Sequence, residues 1–144
     1  MKAQSPFISH TIIIGITVFV IIVMLFALNY FKEEYQVFEG ENEMKNVCLL
    51  LKNGIEKIYH PENAGYLNTS SQMGMILLDL PLRIADMKYN IRFVNATIEV
   101  KSTKINQTCN LWKNATYIGS SSGGLTEISW IRLGQNDIIQ MRNV

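Results

Sequence analysis

Hydrophobic and polar positions divide this chain into three stretches with different periods. From residue 7 to residue 31 there is no Lys, Arg, Asp or Glu, and most positions are Ile, Val, Leu, Phe or Met. Such a stretch predicts a helix that is apolar on every side. A helix rises about 1.5 Å per residue and needs roughly 20 apolar residues to cross the hydrocarbon of a bilayer, so this one is long enough to span it. Between Glu39 and Tyr59 the pattern becomes one-sided. Met44, Val47, Cys48, Leu51, Ile55 and Ile58 fall at steps of three and four, and Leu50 and Tyr59 widen the stripe. Glu43, Lys45, Lys52 and Lys57 point elsewhere, so this part predicts an amphipathic helix with one face on a core. Gly40 and Gly54 are its weak points. His60-Pro61 ends it, because proline disfavours helical backbone in the residue before it. One long helix over both stretches is the simplest arrangement, and a break near residues 39–42 is the alternative.

Beyond Pro61 a polar loop over residues 62–72 gives way to a period of two. Residues 75–80 read as a strand closed by Pro81. Residues 89–93 and 96–101 read as a hairpin around Val94-Asn95, with Ile91, Phe93, Ile98 and Val100 facing inward. Residues 112–118 make a short strand, the Ser- and Gly-rich run 119–124 a turn, and residues 127–133 and 138–142 a last hairpin around residues 134–137. The expected fold class is α+β: a long N-terminal helix, transmembrane in its first half and amphipathic in its second, packed on a small antiparallel β-sheet head. The expected divisions are a leader-like segment at 1–6, the membrane or filament-core helix at 7–31, its amphipathic continuation at 32–60 and a β-rich head at 61–144.

Composition fits one domain plus a membrane helix. The 144 residues are 48% hydrophobic, with a large share of that in the first 31, so the remainder resembles an ordinary small domain. Of 13 basic residues only Lys2 precedes the apolar run, and all 12 acidic residues follow it, which leaves the later part formally neutral. A balanced domain offers no electrostatic footprint to a polynucleotide, so no nucleic-acid partner is expected. Lys2 on the short side and Glu33, Glu34, Glu39, Glu41 and Glu43 on the other favour a cytoplasmic N-terminus and an extracellular C-terminal domain.

Two features behind the apolar run agree with that orientation. Asn68-Thr69-Ser70, Asn95-Ala96-Thr97, Asn106-Gln107-Thr108 and Asn114-Ala115-Thr116 are four N-glycosylation sequons, where chance gives roughly one or two. The two cysteines, Cys48 and Cys109, are too few for a four-ligand structural zinc site; on an oxidising surface they form one disulfide, and otherwise they are two unrelated buried thiols. No catalytic set is visible. His10 lies at the edge of the apolar segment, where a histidine reaches headgroups, and His60 sits at a helix terminus. There is no P-loop, nucleophile elbow or metalloprotease helix; residues 119–124 lack the Lys-Ser/Thr ending of a phosphate cradle. Neither an enzymatic activity nor a metal or cofactor is expected.

The segment Lys2-Ala3-Gln4-Ser5-Pro6-Phe7-Ile8 resembles the N-terminal signature of archaeal type IV pilins and archaellin-like proteins, in which a basic and a small residue precede a Ser-Pro-x-Ile stretch and an apolar helix. The stretch Ile76-Leu77-Leu78-Asp79-Leu80-Pro81-Leu82-Arg83-Ile84, followed by Tyr89-Asn90-Ile91, is similar to a strand–turn–strand of archaeal pilin-like heads. The resemblance implies cleavage by a prepilin peptidase-type enzyme between Ala3 and Gln4, which leaves the apolar helix on the mature protein. It also implies assembly with other pilin-like subunits, with Phe7, Ile14, Phe19, Ile22 and Phe26 packing in membrane lipid and then in a filament core, and glycans coating the heads. Two functions from different classes follow. One is a structural subunit of an archaeal surface filament. The other is a single-span membrane subunit with an outer β domain, such as a stator-like motility component or an adhesion or sensing ectodomain.

Overall fold

The computed structural model describes residues 5–60, 67–111 and 115–144, with side chains described over 10–60, 71–111 and 115–144. One helix, α1 (Ser5–Ile58), runs for 54 residues and is followed by seven strands. These are β1 (Leu67–Leu80), β2 (Tyr89–Val94), β3 (Thr97–Ser102), β4 (Asn106–Asn110), β5 (Thr116–Ser121), β6 (Gly124–Gly134) and β7 (Asn136–Asn143). The chain divides into two compact units, the first ending at Gln36 and the second running from Val37 to Val144. In the first unit the described backbone is helical, and the side chains from His10 to Tyr35 are exposed.

The second unit is an α+β fold, with the C-terminal part of α1 on one face of a seven-stranded sheet of order β1-β6-β7-β5-β2-β3-β4. Neighbouring strands are antiparallel except β5 and β7, which run parallel. The helix does not break near residues 39–42. Its one-sided pattern places Met44, Val47, Cys48, Leu51 and Ile55 in the core against Leu80, Ile91, Ile98, Val100, Ile128, Trp130, Ile139 and Met141. Burying side chains of this size stabilises by roughly 1.5–3 kcal/mol each, which is why the amphipathic stripe fixes how this part of the helix lies on the sheet. Leu50 is the exception, since it is exposed rather than part of the stripe.

Both helix glycines have a packing reason. A Cβ on Gly40 would sit 2.5 Å from Cδ1 of Ile105 and 3.2 Å from Cε of Met87, and one on Gly54 would touch Leu78 at 3.0 Å. Their missing side chains let the sheet and its turns approach the helix closely, which offsets their poor helix propensity. The Gly40 contact belongs to a tight turn in which Ala85 and Asp86 both have positive φ and Ile84 bridges Met87. Glu43 holds that turn from the helix, its carboxylate accepting the Ala85 N–H at 2.8 Å.

Several elements differ from the sequence-based reading. The loop expected through residue 72 is already strand from Leu67, with register shifts between Leu67 and Ser71 and between Gln72 and Gly74. A strand containing Asn68, Thr69, Ser70 and Ser71 is tolerated at the edge of a sheet, where polar residues are not forced into the core. Strand β4 falls in a polar stretch to which the sequence assigns no element; its backbone pairs with β3 from Thr97 to Lys101. Strand β5 runs later than expected, Thr116–Ser121, and residues 112–114 of that expected strand lie outside the described residues. The β2–β3 turn is Asn95-Ala96, with Val94 opposite Thr97.

Candidate functional site

The exposed apolar helix is the feature of this chain that most calls for a partner. Ile14, Phe19, Ile22 and Phe26 are 46–73% exposed, as are their apolar neighbours. Soluble proteins rarely present contiguous apolar surface on this scale, and lipid or other helices are the surroundings such a surface suits. It is the one helix among the described residues long and apolar enough to cross a membrane. Within it Thr17 donates its hydroxyl to the Ile13 carbonyl at 2.8 Å, which satisfies its polar group internally. The side chain of Phe7 lies outside the described residues, as do Ala3 and Gln4, so the expected processing site carries no structural account.

The apolar side chains do not stop with the charge-free run. Tyr30 and Phe31 meet edge to face at 6.1 Å just before Lys32, and Tyr35 is also exposed. In the second unit Phe38 is 65% and Leu49 45% exposed, while Gly40, Met44, Val47, Cys48 and Leu51 are buried. Phe38 and Leu49 are eleven residues apart, about three helical turns, and therefore share the helix face turned away from the sheet.

The head that carries this helix is tied to it by two cross-links of different kinds. Cys48 on α1 and Cys109 on β4 are joined by a disulfide, with Cα atoms 6.2 Å apart across 61 residues of sequence. The other cross-link is polar. Buried Asp137 accepts the Trp130 indole N–H at 2.9 Å and the Tyr59 hydroxyl at 3.3 Å, with an Arg132 guanidinium nitrogen 3.8 Å away. Tyr59 also meets Trp130 edge to face at 5.3 Å. This group fastens the C-terminal end of the helix to the β6–β7 hairpin. Asp137→Ala leaves the indole N–H and the Tyr59 hydroxyl without this acceptor and is expected to destabilise the head by about 2 kcal/mol, measured by urea unfolding of the full chain in detergent.

Two tyrosines hold protons more tightly in the fold. The Tyr59 phenol is pushed up to about 12, first by burial and then by the nearby Asp137 carboxylate. Tyr89 rises to about 12 by burial and by Glu43, and it donates its hydroxyl to the Pro81 carbonyl. The unfolded chain releases both protons near pH 10, so stability is unaffected below that pH and falls as pH rises from 10 towards 12. Tyr89→Phe is expected to make that decline shallower; thermal melting at half-unit pH steps reads it.

Of the Ser- and Gly-rich run expected as a turn over 119–124, residues 119–121 belong to β5 and Gly124 opens β6, so the turn itself is only residues 122–123. Ser121 and Thr126 hydroxyls meet at 2.6 Å, the Gly123 N–H donates to Ser121 at 3.2 Å, and the Asn143 amide donates to the Gly123 carbonyl at 2.7 Å. Gly123 and Gly124 supply the positive φ angles this turn needs. Among the described residues there is no group of three His, Cys, Asp or Glu able to hold a metal ion. Of the four sequons, Asn95 lies on the β2–β3 turn and Asn106 at the start of β4. Asn68 lies in β1 with its side chain outside the described residues, as Asn114 is entirely. No known protein family, curated protein or solved structure matches the chain.

Proposed function

We propose that this protein is a pilin-like structural subunit of an archaeal type IV pilus-type surface filament, held in a membrane by its apolar helix before assembly and packed through the same helix afterwards. The observation that carries this reading is the apolar helix itself, exposed over the described part of its charge-free run, a surface that suits lipid and neighbouring helices alike. The resemblance of residues 2–8 to the pilin signature supports the same reading and supplies the processing step at Ala3–Gln4.

In the membrane the N-terminus is cytoplasmic and the head extracellular; in the filament the head faces outward. A non-enzymatic, structural role follows from an apolar surface as the dominant exposed feature. Tyr30 and Phe31 beside Lys32 favour a second reading, because aromatic residues gather at membrane interfaces. On that reading the protein stays a single-span subunit with an outer β domain. Intact mass and N-terminal sequencing of the protein from its own cells, together with its recovery in sheared surface filaments, separate the two. A mature start at Gln4 and presence in the sheared fraction are expected. An intact Met1 with all protein in the membrane fraction sinks the filament reading.

A further inference from the structure

We propose that the head binds a soft monovalent metal ion of the Cu(I) class between the Met73 and Met75 thioethers and the His60 imidazole. The inference goes beyond the structural role proposed above and does not depend on it. All three donors lie in the second compact unit, whether or not the helix enters a filament.

His60 lies just past the end of α1, and the two methionines lie on β1, at one edge of the sheet. A bulge and a glycine bring them together. On β1, Gln72 and Gly74 pair with consecutive residues of β6, Ile131 and Trp130, so Met73 is an extra residue with no partner opposite. A residue in that position leaves the alternation of the ladder, and its side chain is re-aimed. Gly74, between the two methionines, abuts the end of the helix. A Cβ there would sit 3.1 Å from Cβ of Ile58 and 3.2 Å from its carbonyl oxygen. His60 is two residues beyond Ile58, at most about 7 Å of chain. Ile58, His60, Met73, Gly74 and Met75 accordingly line one pocket of about 400 Å³, with Trp130 in its wall.

The donors are accessible and suit one class of ion. Met73 is 38% and Met75 52% exposed, and His60 is exposed as well. Packing gives no reason for two thioethers there, since an edge strand is ordinarily protected by charged side chains or proline. Methionine has three rotatable bonds and a polarizable sulfur, so each sulfur can swing onto an ion. Thioether sulfur is a soft donor that selects Cu(I), and imidazole suits the same ion. The exposed Lys57 ammonium on the same pocket adds a second preference, because it repels a divalent ion twice as strongly as a monovalent one. Binding forms sulfur–metal and nitrogen–metal bonds from donor lone pairs and displaces solvent. No electron moves, and the ion keeps its single positive charge.

The experiment titrates the full chain in detergent with silver nitrate, Ag(I) being a soft monovalent ion that does not change oxidation state. The Cys48–Cys109 bond is kept closed, so that no thiolate competes. The methionine ε-methyl resonances are the readout. At one equivalent the Met73 and Met75 methyls are expected to shift together while those of Met24, Met44 and Met141 stay in place. Met73 and Met75 methyls that do not move overturn the site. Competition with a chromophoric Cu(I) chelator then measures the affinity for Cu(I). Met73→Leu, Met75→Leu and His60→Gln are each expected to raise Kd at least about tenfold, and the double methionine variant to abolish binding. Leucine conserves the volume of methionine, so the head is expected to keep its fold, and unshifted Met44 and Met141 methyls check this. Binding that survives the double variant overturns the inference, and an unchanged Kd in His60→Gln removes the imidazole from it. Zn(II) is titrated in parallel and is expected not to displace Ag(I). Zn(II) that competes on equal terms overturns the preference for a soft monovalent ion.

Discussion

Replacing Cys48 and Cys109 with alanine is expected to lower the stability of the head by about 4 kcal/mol. The bond closes a loop across 61 residues, and the chain-entropy relation assigns a loop of that size roughly 4 kcal/mol of constraint on the unfolded chain. The placement adds to the effect. Cys48 is fully buried on α1 and Cys109 lies on the edge strand β4, so the bond holds the helix to one edge of the sheet. β4 is only five residues long, with three of them exposed. Thermal melting of the full chain in detergent, with and without reductant, reads the loss, and for a head of this size 4 kcal/mol corresponds to a drop of roughly 15–25 °C. Reductant is expected to have no effect on the double variant. Equal melting of the variant and the oxidised protein would show that the unfolded chain is already compact around this loop.

How much of this was legible in the sequence depends on where packing decides and where pairing does. The helix was legible because periodicity of three and four reports a buried face directly, and Met44, Val47, Cys48, Leu51 and Ile55 are all in the core. Leu50 misled for a simple reason: an apolar side chain next to the stripe adds hydrophobicity without sharing its angle. The inward positions Ile91, Ile98 and Val100 were legible by alternation and are fully buried. What could not be read were the strands whose stability comes from backbone pairing. β4 and the first half of β1 are rich in Asn, Thr, Ser and Gln, residues that look like loop until a neighbouring strand offers its hydrogen bonds. The Asp137 group was missed for a related reason. A single aspartate in a turn looks solvated, and nothing local to it announces that Tyr59, 78 residues away, donates to it. The signal available was a Trp and an Arg on the strand before a tight turn, which is too common to single out.

On the filament reading proposed above, Phe19→Asp is expected to leave the protein in the membrane while abolishing filaments. Residues 7–31 contain 16 Ile, Val, Leu and Phe. At roughly −0.3 to −0.6 kcal/mol each on the insertion scale, these favour the membrane by at least about 5 kcal/mol, and one aspartate near the centre costs about 3. The sum remains favourable, so insertion survives. Helix packing has no such reserve, because lipid and a neighbouring helix are equally apolar and association depends on local fit. A carboxylate at Phe19, a residue 67% exposed in the isolated chain, meets neighbouring helices with no cation in the apolar run to pair with it. An unpaired buried charge costs on the order of 3–5 kcal/mol, equivalent to a 10²- to 10⁴-fold loss in each subunit's assembly constant. The head is expected to melt unchanged, because Phe19 lies in the other compact unit. Membrane fractionation and recovery of sheared filaments, run side by side, read both halves of the prediction. Loss from the membrane would mean that the apolar helix has less reserve than its composition gives. Filaments that still form would mean that this helix is an anchor and not the packing surface.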